Sequence, residues 1–71
     1  MAHNDPQYQM TVYEDRERLD ADMHMHVCYF YRLNEGRAFA KFISMLGMIA
    51  VFGKDGERGD VYVSGKKSAA A

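Results

Sequence analysis

Apolar and polar residues alternate over two stretches of the first half of the chain, then take a helical spacing, then alternate again. Tyr8, Met10 and Val12 share one parity and Gln7, Gln9 and Thr11 the other, with Tyr13 joining the second. A period of two, rich in Val, Thr and Tyr, predicts a strand. Residues 14–22 hold seven charges in nine positions. They read as a long exposed turn or a frayed hairpin tip, with a short helical turn capped by Asp15 as the alternative.

The clearest alternation follows. Met23, Met25, Val27, Tyr29, Tyr31 and Leu33 fall on one face, against His24, His26, Cys28, Phe30 and Arg32 on the other. Eleven residues of this kind predict a strand whose wholly apolar first face meets the core. Asn34 then offers a helix N-cap, with Glu35 well placed in the first turn. Phe39, Phe42, Ile43 and Leu46 define one helical face, and Gly47 offers a left-handed stop. Residues 48–52 then read as a strand, with a helix continuing to Phe52 and ending at Gly53 as the alternative. A glycine-rich loop over 53–59 joins them to Val61–Val63 as a hairpin.

The predicted fold class is therefore α+β: a small antiparallel sheet in ββαββ order with one helix packed on one face. Residues 1–6 read as a loose lead-in, 7–65 as the single domain, and 66–71 as a disordered tail or cloning linker.

Length and composition sharpen this picture. Seventy-one residues allow one domain, and 48% are apolar. A chain of this size buries only about 60% of its unfolded surface, so a lone monomer is marginal. Twenty of the apolar residues lie between Met23 and Phe52, leaving little elsewhere to cover them. That imbalance predicts a second chain, most simply a homodimer.

The formal charge is −1, which supplies no global field toward nucleic acid or an anionic membrane. Its distribution is uneven, however. Residues 1–22 carry six acids and two bases (−4), and residues 23–71 four acids and seven bases (+3). The single cysteine, Cys28, cannot form an internal disulfide, and the polar, acidic N-terminal stretch does not resemble a secretory leader. The longest apolar stretch, 38–52, is interrupted by Lys41 and is shorter than the roughly 20 residues of a spanning helix. These features predict a cytoplasmic protein without a membrane partner.

Candidate chemistry is sparse. His24, His26 and Cys28 would project to one side of a strand, about 7 Å apart at each step of two. Imidazole and thiolate suit Zn²⁺, but three such positions span too far for one ion, so His24 and His26 form the candidate metal pair, with a further ligand such as His3 or a carboxylate. The competing reading makes them ordinary polar residues on the wetter face. A Cys28–His nucleophilic pair is opposed by the apolar neighbours Val27, Tyr29 and Phe30, which predict an inert thiol. No phosphate-binding loop and no carboxylate pair in an apolar setting is present, so no catalytic residue and no cofactor is assigned and the chain is read as a non-enzyme.

Tyr29, Phe30, Tyr31 and Arg32 invite comparison with base-stacking sheets, but the alternation leaves only Phe30 off the core face. Arg58-Gly59-Asp60 spells an adhesion tripeptide that chance explains in a hairpin loop. Six methionines fill a core adaptably or form a plastic docking surface.

The function that follows is a small protein-interaction module, homodimeric, acting as a regulator or inhibitor by binding another protein, of a size that suits a phage or mobile-element product. The partner-facing residues are Glu14, Asp15, Glu17, Asp20 and Asp22 of the acidic segment, together with Phe30 and Arg32. Nucleic-acid binding through the basic C-terminal half and metal binding by His24 and His26 are the alternatives.

Overall fold

A computed structural model of the chain describes residues 5–54 and 59–68. Its elements run in the order β1 (Tyr8–Tyr13), α1 (Arg16–Asp20), β2 (His26–Phe30), α2 (Leu33–Met45), β3 (Ile49–Lys54), β4 (Asp60–Val63) and β5 (Lys66–Ser68). The strands form one antiparallel sheet in the spatial order β2-β1-β3-β4-β5. The α+β class and the antiparallel sheet with a packed helix are as expected. Two elements are additional: α1, which is the short helical alternative, and β5.

β1 lies between β2 and β3, and its register with them decides which side chains lie beneath α2. Met10 stands between Cys28 of β2 and Phe52 of β3, and Val12 between His26 and Ala50. Met10, Val12, Ala50, Phe52 and Tyr62 are buried on this face together with Ala40 of α2. Cys28 and Phe30 pack against the same cluster, so the face of β2 that meets the core is the reverse of the one expected. Alternation separates the two faces of a strand but does not say which is covered. Here pairing with β1 places Cys28 and Phe30 inward and leaves Val27 and Tyr29 on the open side. β2 is also shorter than the eleven-residue alternation. A strand extends as far as it has a partner, and β1 offers six residues; Met25 makes one backbone bond to the Val12 carbonyl (2.8 Å) before the ladder begins.

α2 begins at Arg32, not Asn34: Arg32 is the N-cap without a side-chain capping bond, and Asn34 lies in the first turn. Its end is as expected, since Gly47 takes φ +95° and donates to the Ser44 carbonyl. Gly36, Ala40 and Ser44 are the residues it buries. Phe39, Phe42 and Leu46, expected in the core, are exposed. The sheet beneath already carries Phe52, Met10 and Tyr62, so the helix approaches through its small residues and its large ones are displaced to the flank.

Residues 48–52 resolve in favour of a strand, within β3, and the β3–β4 hairpin forms as predicted, although 55–58 lie outside the described residues. Lys66–Ser68, expected as a tail, form β5. The two-residue link Ser64-Gly65 has positive φ at both positions (53° and 78°), the conformation of a type I′ hairpin turn. Ser44 fastens this hairpin to the helix: its hydroxyl donates to the Lys41 carbonyl and accepts from the Gly65 N–H, both at 2.8 Å. With both roles filled, the two hydrogen bonds offset the cost of taking this hydroxyl out of water.

Candidate interaction surface

A series of aromatic rings leads from the core to solvent. Phe52 stacks on Tyr8 (5.8 Å) and meets Phe30 edge-on (6.1 Å). Phe30 contacts Phe39 (5.7 Å), and Phe39 contacts Phe42 (6.4 Å). Burial falls along this path, from 2% exposure at Phe52 to 45% at Phe39 and 54% at Phe42. Helical spacing puts Leu46 (58% exposed) beside Phe42. The result is an apolar flank on α2, on the side of the molecule formed by β2. Such a contiguous patch on a small chain marks a contact surface more often than chance.

The two edges of the sheet differ. β5 is three residues long and exposes Lys66 and Lys67, features that discourage further strand pairing. Among the described residues β2 pairs only with β1, and its sequence His-Val-Cys-Tyr-Phe contains no lysine, proline or glycine. The face of the sheet opposite α2 carries Thr11, Val27, Val51, Val61 and Val63, half-buried, and exposed Tyr29. Lys66 is the one charged residue among the described strand positions of that face.

The expected partner-facing residues divide. The acidic segment forms α1 and its borders, and part of its charge is engaged locally. Asp15 caps α1, accepting from the Arg18 N–H (2.9 Å), and pairs with the Arg18 guanidinium (2.7 Å); Glu14 pairs with Arg18 at 3.2 Å. Glu17 and Asp20 are exposed, as is Arg32. Phe30 is not a solvent-facing residue of the second face; it lies under the helix, where it joins the exposed Phe39 to the core. Phe39, Phe42 and Leu46 are the surface residues that sequence reasoning missed. The signal that could have exposed them is the small-residue spacing Gly36, Ala40, Ser44.

His24 and His26 are both exposed, and His24 precedes β2, so strand alternation does not align it with His26 and Cys28. Among the described residues no three His, Cys, Asp or Glu side chains are grouped to hold a metal ion; His3 lies outside them. A cleft of about 340 Å³ opens beside the first turns of α2, lined by Tyr8, Leu33, Arg37, Phe52, Lys54 and Asp60 among others. Asp60 lies 3.6 Å from the Lys67 ammonium, and among the described residues the cleft walls include no cysteine, histidine or serine. No helix among the described residues is long and apolar enough to cross a membrane.

Tyr13 is buried at the α1 end of β1 and donates to an Asp22 carboxylate oxygen (3.3 Å). Desolvation, then the charge of Asp22, then this hydrogen bond raise its pKa above the ordinary 10.0. The folded chain therefore holds this proton more tightly than the unfolded chain. The contribution is fully present below pH 10 and is lost as pH rises from there through the folded-state pKa. Urea titrations between pH 8 and 11 check this: Tyr13→Phe makes the alkaline decline shallower, and an unchanged slope disproves it.

The chain matches no family model, no curated protein and no solved structure.

Proposed function

We propose that this chain is a small cytoplasmic protein-interaction module that acts by contact with another macromolecule, in the manner of a regulator or inhibitor, and that a second copy of itself is its first partner. The observation carrying this reading is the amount of large apolar side chain left in solvent. Among the described residues, Met23, Met25, Tyr29, Tyr31, Phe42, Met45 and Leu46 are each more than half exposed. A chain near the lower size limit for independent folding gains from covering such groups, and association supplies the cover.

Light scattering coupled to size-exclusion chromatography tests the reading. At tens of micromolar the expected mass is twice the 8.1 kDa of the chain; a clean monomer at high micromolar concentration removes the homodimer. The nucleic-acid alternative gains Tyr29 on the open face but has little positive charge beside it. Retention on a generic oligonucleotide that weakens steeply with salt would favour that alternative.

A further inference from the structure

On the reading that the chain binds a second copy, we propose how the copies meet. Two chains join along the exposed edges of β2, antiparallel about a two-fold axis at Cys28. Two five-stranded sheets become one of ten strands, and the Phe39, Phe42 and Leu46 flanks of the two α2 helices close over the seam.

Three observations converge on this margin of the molecule. The first is the contrast between edges. An exposed edge strand is a template for pairing, and folded proteins blunt it with lysine, proline or brevity. β5 is blunted by two of these, whereas β2 has five residues and none of them. The second is that the apolar flank of α2 lies on the β2 side, fixed there by the Phe30–Phe39 contact. Backbone groups awaiting partners and side chains awaiting cover thus occupy one border, and strand addition beneath a helical flank satisfies both.

The third is self-complementarity, which any two-fold contact requires. When a five-residue strand pairs with its own copy so that all five residues are matched, the axis falls on the third. Cys28 then meets Cys28 of the partner subunit, Val27 meets Tyr29 of the partner subunit, and His26 meets Phe30 of the partner subunit. Each Val–Tyr match is a favourable β-branched–aromatic pair, and no like charges oppose one another in the strand. Antiparallel pairing also brings the C-terminal exit of one strand, with exposed Arg32, toward the N-terminal approach of the other, where Asp20 and Asp22 are exposed. Arg32 has no carboxylate within ion-pair distance among the described residues. The charge asymmetry between the two halves of the chain is thereby matched by a second copy.

Cys28 gives a direct readout. Opposed residues in an antiparallel pair have Cα atoms about 4.5–5.5 Å apart, within the roughly 4.4–6.8 Å that a disulfide spans. Diamide, taking two electrons and two protons from the two thiols, should therefore link the wild-type dimer through Cys28 in high yield. Three proteins are compared by light scattering and by non-reducing electrophoresis after diamide: the wild type, the double variant Phe42→Glu with Leu46→Glu, and Val63→Lys on the open sheet face.

The expected result is a dimeric, cross-linked wild type and Val63→Lys, against a double variant that is monomeric and not cross-linked with its far-UV circular dichroism retained. A dimeric wild type that diamide does not link overturns the β2 seam while leaving self-association standing. So does a dimer that survives the helix substitutions and dissociates on Val63→Lys, since the copies would then meet through the open face. A monomeric wild type overturns both the seam and the dimer. Should the double variant unfold, the wild-type cross-link decides the seam by itself.

Discussion

Replacing Phe52 with alanine costs about 3–5 kcal/mol, the range for removing a fully buried phenyl ring. Phe52 is 2% exposed, contacts Tyr8 and Phe30 through its ring, and lies under the backbone of Gly36. Nothing nearby is placed to refill the space: Met10 and Ala50 already occupy the same face, and Gly36 has no side chain to extend. A domain of this length has a total stability on the order of 4–10 kcal/mol, so one substitution removes from about a third of it to all of it. Thermal denaturation should show a drop of at least about 12 °C, or no cooperative transition. Met23→Ala is the contrast, because Met23 is 62% exposed and surface truncations change stability by about 0.5 kcal/mol or less. Equal shifts for the two variants would remove Phe52 from the centre of the core.

The effect also reaches the proposed interface. The rings from Phe52 through Phe30 to Phe39 form one packed series, so the exposed flank of α2 owes its position to a residue of the central sheet. A contact surface fixed by core packing is pre-organised, and association then costs less side-chain ordering.

The same packing explains what could be read from the chain and what could not. β1 and the β3–β4 hairpin were legible as elements because alternation marks the strands and glycines mark the loop between them. The end of α2 was legible because Gly47 alone there accepts a left-handed backbone without strain. The face of β2 was not, because Val27–Tyr29 and Cys28–Phe30 are equally suited to burial, and the choice is made by pairing with Tyr8 and Met10 many residues away. The rotation of α2 escaped for a related reason. Hydrophobic spacing selects Phe39, Phe42 and Leu46, but the partner surface is already full and selects the small residues instead.

β5 carries no apolar residue, being Lys-Lys-Ser, so no periodicity marks it; it exists through the Ser64-Gly65 turn and its pairing with β4. The exposure of Glu17, Asp20 and Arg32 was legible from charge alone. The contribution of Phe39 and Phe42 required the sheet.

Gly36→Ala is expected to destabilise, against the usual direction for a glycine in a helix. In an open helix the change gains about 1 kcal/mol, because alanine loses less backbone entropy on ordering. Here a Cβ at position 36 would fall on Cε1 and Cζ of Phe52, far inside van der Waals contact. Both residues are held, the one by the helical backbone and the other by Tyr8 and Phe30, which pack against its ring. The helix must lift or the ring must leave its rotamer, at a net cost of about 1–3 kcal/mol. The sign depends on the ring, which a double-mutant cycle in urea can show. Phe52→Leu removes the atoms in conflict, so Gly36→Ala made on that background should cost less than about 1 kcal/mol, or stabilise. The coupling energy should then be on the order of 1–2 kcal/mol, as for residues in direct contact. Equal penalties in both backgrounds would mean that the ring is not what holds position 36 to glycine. A coupling of the expected size would identify the Gly36–Phe52 contact as the one that sets how deeply α2 sits on the sheet, and with it how far Phe39 and Phe42 stand out over β2.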